Sequence, residues 1–97
     1  MSGDKPIYDV VREPEAKRFA VHIDGQMAEL DYQLYEDRIV FTHTGVPTAL
    51  EGKGIGGRLV KAGLDWARAE GLRVVPVCSF VAAYIQRHPE YAELTKR

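Results

Sequence analysis

From Arg18 to Ile23 the chain alternates: Phe19, Val21 and Ile23 are apolar and their neighbours polar or small, which predicts a β-strand. Asp24-Gly25 follows, a dipeptide able to hold positive φ in a tight hairpin turn. Met27, Ala28, Leu30, Tyr32, Leu34 and Tyr35 then mostly keep a period of two, with Glu29, Asp31 and Gln33 on the other face, so a second, antiparallel strand is expected. Glu36-Asp37 turns the chain again. A third strand is expected over residues 39–44, ending at Gly45-Val46-Pro47, where proline withholds a backbone donor.

Beyond residue 50 the apolar period changes to 3.6. Ile55, Leu59, Ala62, Gly63 and Trp66 fall on one side, and Arg58, Lys61, Asp65 and Arg68 fall largely on the other, the pattern of an amphipathic helix. Gly71 stands where a helix C-terminal cap belongs, and residues 73–78 form an apolar run too short for a helix, hence a buried strand. Ser79 is placed to cap a last helix beginning near Phe80, with Val81, Tyr84 and Ile85 as its inner face and His88-Pro89 as its stop. The order β-β-β-α-β-α predicts an α+β fold of sandwich-like layers: a mixed, mainly antiparallel sheet with helices packed on it. About six residues at the start and the Thr95-Lys96-Arg97 tail read as dispensable.

Ninety-seven residues suffice for one domain and no more. A formal net charge of −1 argues against a nucleic-acid partner, which would require a basic excess. The charge is unevenly spread: residues 1–50 carry five Lys/Arg against nine Asp/Glu, and residues 51–97 carry eight against five, so the second half suits an anion. Cys78 is the sole cysteine, which excludes an internal disulfide or a multi-thiolate metal site, and no metal is expected. With no apolar leader and no run near the roughly 18 residues of a membrane span, a cytoplasmic protein without a membrane partner is expected. No heptad or long apolar surface run specifies an assembly, so a monomer or a homodimer fits.

The most informative stretch is Glu51-Gly52-Lys53-Gly54-Ile55-Gly56-Gly57, between the third strand and the amphipathic helix. Glycine lets the backbone approach a ligand closely, and the first amides of a helix lack intrahelical acceptors, so together they can grip a pyrophosphate. A flexible connector is the bland alternative. A Walker loop fails, because Pro47 stands where its first glycine belongs and Gly54 follows Lys53. Gly52, Gly54 and Gly57 satisfy GxGxxG, but the following strand ends at Val77-Cys78 without the ribose-binding acid. Glu51 with Gly54 and Gly56 matches [Q/R]xxGxG except at its first position.

On that motif the chain resembles the GNAT-type N-acetyltransferases. His43-Thr44-Gly45-Val46-Pro47, the run from Val75 through Val81, and His88-Pro89-Glu90-Tyr91 look like the family's small YjdJ-type branch over roughly residues 10–94. The resemblance implies a minimal GNAT-like domain transferring an acetyl group from acetyl-CoA to an unidentified amine acceptor. Val46, Gly52, Lys53, Gly54, Ile55, Gly56, Gly57 and Arg58 would then hold the cofactor. Glu51 replaces the usual Gln or Arg, and the chain has no room for the helical pair and final hairpin with which larger relatives shape the acceptor site. A non-catalytic acyl-CoA or CoA-binding module is the alternative function, and an interaction domain whose glycines only turn the chain is a third.

Acetyl transfer needs a neutral amine, a polarised thioester and a protonated leaving thiolate. A lysine-like amine of pKa about 10.4 is neutral in only about one part in 2,500 at pH 7, a handicap near 4.6 kcal/mol. Pro76 is consistent with the splayed strands that the family uses to admit the pantetheine arm, and equally with an edge or bulge proline. Cys78, where the last strand meets the last helix, is a candidate nucleophile for a covalent acetyl relay, helix-terminal amides favouring its thiolate; a small buried hydrophobe is the other reading. His43 is expected to face the same cleft as a base toward Cys78 or the amine, and Tyr84 stands where the family often protonates departing coenzyme A. His22 and His88 read as structural or solvent-facing.

Overall fold

The structure, a computed structural model, describes residues 8–97; the reading of the first six residues as dispensable lies outside the described residues. Strands β1 (Val11–Glu13), β2 (Arg18–Ile23), β3 (Gln26–Leu34), β4 (Arg38–Gly45) and β5 (Arg73–Pro76) form one sheet in that order. The first four are antiparallel, and β5 joins β4 in parallel through the crossover helix α1 (Ile55–Ala69). Helix α2 (Ser79–Arg87) and a 3-10 segment, Pro89–Lys96, complete the chain.

The three expected antiparallel strands, the crossover and the last helix are all present. Asp24 and Gly25 turn the β2–β3 hairpin at φ 50° and 77°, and Gly71, at φ 72°, follows the end of α1. Four details differ. The sheet gains β1, whose Arg12 lays its guanidinium 4.3 Å from the Trp66 ring centroid. Trp66 is thereby half-buried beneath an arginine, and Ala62 is also only partly covered; the deep face of α1 is Ile55, Gly56, Leu59, Val60, Gly63, Leu64 and Ala67. The N-cap of α2 is Cys78, while Ser79 is already helical and makes no cap bond. The tail read as dispensable is tied in: Thr95 Oγ1 donates to the Ala92 carbonyl, Arg97 Nη1 reaches the Leu72 carbonyl at 3.4 Å, and Leu94 just before it is fully buried.

The helical segments share one core with the inner face of the sheet, where Leu30, Ile39, Phe41, Leu59, Leu64 and Val74 are almost wholly shielded from water. Gly63 sets the spacing between α1 and the sheet: a Cβ there would lie 2.9 Å from Leu30 Cδ2 and 3.0 Å from Phe41 Cε1, both in fully buried side chains. Gly63→Val is therefore expected to overpack the core by about 1–3 kcal/mol, lowering Tm by roughly 10 °C at about 4–8 °C per kcal/mol for a domain of this size. A thermal melt checks this; an unchanged Tm would show that the two layers separate freely.

Candidate functional site

Strand β4 outruns β5. The parallel ladder pairs Arg38 through Phe41 with Arg73 through Pro76 and stops there. Pro76 has no amide to extend it. The Val77 amide turns back to the Val75 carbonyl and the Cys78 amide donates to the Phe41 carbonyl at 2.9 Å, so the chain leaves the sheet two residues before the expected strand end at Cys78. The last residues of β4, from Thr42 to Gly45, thus have no partner on this side, and the strands open into a wedge.

A cleft of about 550 Å³ occupies the mouth of that wedge, within the range of cofactor pockets. Thr44, Gly45, Val46 and Leu50 form one wall, the glycine loop the other, and Phe80 of α2 the end. Gly52 and Gly54 hold φ of 82° and 77°, a backbone that L side chains rarely adopt, and Gly54 is the N-cap of α1. The first helical bond runs from the Arg58 amide to the Gly54 carbonyl. The amides of Ile55, Gly56 and Gly57, ahead of that bond, therefore have no helical acceptor and sit at the positive end of the helix dipole. A Cβ on Gly56 would lie 2.9 Å from Cζ of the exposed Phe80, so any side chain there would displace the Phe80 ring from the cleft end.

Of the expected cofactor residues, Val46, Gly52, Gly54, Ile55, Gly56 and Gly57 line the cleft. Lys53 does not; it borders a separate shallow groove with Tyr8, Ile23 and Asp24. Arg58 also lies off the wall, its guanidinium 5.9 Å from the Tyr8 ring centroid. Among the described lining residues Glu51 alone carries a charged side chain, so the attraction for an anion comes from backbone amides.

The three expected catalytic side chains occupy three separate places. Cys78 is half-buried, its sulfur 3.3 Å from Thr44 Oγ1. Burial pushes this thiol up, but the Thr44 hydroxyl and the amides of Val81, Phe80 and Thr44 outweigh it and hold the thiol below its ordinary value. Thr44, a cleft-lining residue, thereby links Cys78 to the cleft. Tyr84 lies behind the glycine loop, buried, with its Cε2 3.7 Å from where a Gly57 Cβ would stand and its ring 4.1 Å from that of His88. Burial raises its phenol, which keeps the proton on.

His43 is the correction. It was expected to face the cleft with Cys78, but it pairs with Asp31 across β3–β4, and the next pair is Thr44 with Leu30. Leu30 points into the core, so Thr44 shares that face and His43 projects to the opposite one. There its ring joins Glu29 and Asp31. The cause is a register shift between Asp31 and Tyr32, which makes Thr42 an extra residue and reverses the alternation beyond Phe41. Sequence reasoning also missed Thr44 and Phe80 as cleft residues; the resemblance runs contain both, but only packing shows which way they point. His22 is exposed, as expected, and bonded to Glu13 at 2.7 Å.

With this geometry in view, comparison with known proteins decides the family. The GCN5-related N-acetyltransferase family model matches residues 18–94. The chain belongs to that family. It is 34% identical over 83 residues to Protein NATD1 of Mus musculus, covering 82% of this chain and 76% of that protein. It is 36% identical over 76 residues to the Homo sapiens protein of the same name, covering 75% and 67%. The solution structure of a GCN5-like protein from Staphylococcus aureus superposes with a TM-score of 0.70 at 27% identity, covering 90% of this chain and 86% of that one. The fold is therefore that of a GNAT acetyltransferase. Among the described residues no helix is long and apolar enough to cross a membrane.

Proposed function

We propose that this GNAT domain transfers an acetyl group from acetyl-CoA to an amine, as a member of the small YjdJ-type branch and in a reducing cytoplasm where Cys78 remains a thiol. The observation that carries the reading is the wedge between β4 and β5, which opens directly onto the unsatisfied amides at the start of α1. Acetyl-CoA supplies the activated thioester; the residues present fit it without help from a cationic side chain. The amides of Ile55, Gly56 and Gly57, presented by the left-handed backbone at Gly52 and Gly54, receive the diphosphate. The unpaired end of β4, with Val46 beyond it, offers an extended edge for the pantetheine arm. Phe80 adds an apolar surface to the cleft wall that also holds Thr44.

In this reading two groups share the sulfur chemistry, although of their side chains only that of Cys78 is hydrogen-bonded to a cleft-lining residue. Cys78, its thiolate favoured by Thr44 and the first amides of α2, takes the acetyl group as a relay. Tyr84, kept protonated by burial, supplies a proton through the loop side. The alternative, a CoA-binding module without turnover, is favoured by Glu51 in the cleft wall, whose carboxylate opposes an anion. Thermal shift separates the readings from an unrelated one: acetyl-CoA and coenzyme A at 100 times Kd are expected to stabilise the domain by about 2.7 kcal/mol, and NAD not at all. No shift with either thiol nucleotide would remove the proposal, and binding without acetylation of any amine would leave the module.

A further inference from the structure

Cys78 is the thiol that the acetyltransferase reading uses, yet among the described residues lining the cleft it has no place, while Thr44 and Phe80 do. Thr44 Oγ1 stands 3.3 Å from the sulfur, and Phe80 follows two residues later in the first turn of α2. A passage from the cleft to the sulfur therefore runs between the Thr44 side chain and the Phe80 ring. The geometry points to Phe80 as a gate: its ring, seated on Gly56, closes this passage in the free domain, and the pantetheine arm of acyl-CoA displaces it to bring the thioester to Cys78. This rests on the relay reading of Cys78 and adds a residue that controls access to the thiol.

The ring crosses the end of the cleft from α2 to α1. A Cβ on Gly56 would stand 2.9, 3.3 and 3.6 Å from Cζ, Cε1 and Cε2 of Phe80, the three atoms of the ring's far edge. The ring thus meets bare backbone tip-on, and Gly56 is buried although it belongs to the cleft wall. Glycine is what leaves the seat open.

Little else holds the ring. Phe80 is 40% exposed and stands outside both the buried core cluster and the partly buried side chains packed against that cluster, a group that includes Cys78. The helix beneath it is anchored separately, by Val81, Tyr84 and Ile85. Exposed side chains change rotamer in picoseconds to nanoseconds, so the ring can leave Gly56 without disturbing the fold. Val77, which precedes Cys78, is 65% exposed, so two of the five exposed large apolar side chains among the described residues bracket the thiol. Single exposed apolar residues are ordinary. A pair bracketing the thiol beside a cleft gives the displaced ring and an alkyl arm an apolar surface to share.

Access and thiolate fraction are separable. Thr44 and the first amides of α2 set how much of Cys78 is thiolate, and the gate sets how often that thiolate is reachable. A thiol reached only with the ring displaced reacts at its intrinsic rate multiplied by the open fraction. Unseating the ring therefore raises the plateau rate at high pH and leaves the pH midpoint in place.

Two variants unseat the ring from opposite sides: Phe80→Ala removes it, and Gly56→Ala fills its seat. With both shown folded by circular dichroism, alkylation of Cys78 by iodoacetamide is followed by mass spectrometry across pH in the free domain. Plateau rates at least about tenfold above wild type are expected in both, at an unmoved midpoint, which corresponds to an open fraction of about one tenth or less in wild type. Labelling with 2-fluorophenylalanine reads the displacement itself. The fluorine resonance absent from Phe80→Ala is expected to shift when coenzyme A is added to wild type, toward its position in Gly56→Ala. Equal plateau rates in wild type and Phe80→Ala overturn the gate, as does a rise explained by a shifted midpoint. A fluorine signal that stays still while coenzyme A binds also overturns it. Absence of coenzyme A binding would sink the cofactor reading together with the displacement, whereas equal alkylation rates with coenzyme A binding intact sink the gate alone.

Discussion

Replacing Gly54 by valine is expected to weaken coenzyme A binding by about 10- to 100-fold, measured by isothermal titration. Gly54 holds φ 77° at the N-cap of α1, a conformation that costs an L residue about 1–2 kcal/mol and a β-branched one more. Relief of that strain swings the loop and re-aims the amides of Ile55, Gly56 and Gly57, each contributing about 0.3–1 kcal/mol toward an anion. The strain itself is a cost in stability; losing the three amides, about 0.9–3 kcal/mol together, at 1.4 kcal/mol per decade gives roughly the stated range. Gly25→Val is the control. Gly25 also holds φ 77°, with as much open space where a Cβ would go, but in the β2–β3 hairpin outside the cleft. Both variants should lose similar stability, and only Gly54→Val should lose coenzyme A. Unchanged affinity in Gly54→Val would refute the amide cradle.

Acetyl-CoA is expected to leave one acetyl group on Cys78, detected as a mass increase that disappears in Cys78→Ala together with amine acetylation. The sulfur attacks the thioester carbonyl as thiolate, so the rate follows thiolate fraction. Thr44 controls that fraction. Burial is the largest influence on Cys78 and pushes the thiol up; the Thr44 hydroxyl is the first of the groups that reverse it. In Thr44→Val burial is opposed by backbone amides alone, so the pH midpoint of Cys78 alkylation is expected to rise and its rate at neutral pH to fall. Thr44→Ser restores both. An active Cys78→Ala enzyme, with no label on the wild type, would mean direct transfer. A midpoint unmoved by Thr44→Val would mean that the amides act alone.

Much of the fold was legible because its signals are local. Period-two runs gave the three antiparallel strands, the change to period 3.6 gave α1, and Asp24-Gly25 and Gly71 marked turns that their φ values confirm. The glycine loop was legible for the same reason: the need for positive φ and a bare helix start is written into consecutive residues. Short β1 was not, because three residues carry no period and Val11–Glu13 becomes a strand only by pairing with Arg18 to Ala20. Trp66 was counted as core, yet Arg12, distant in sequence, is what covers it.

His43 shows where local reading stops. Counting by twos from Phe41 puts His43 beside the cleft, but one extra residue at Thr42 reverses the phase, sending Thr44 inward to Cys78 and His43 outward to Glu29 and Asp31. The chain alone determined which segments pair and where a diphosphate could rest, since propensity, turns and helix ends depend on neighbours in sequence. Only the tertiary structure decided which polar groups share a face, because a sheet register depends on two strands at once and a single-residue bulge inverts every side chain beyond it.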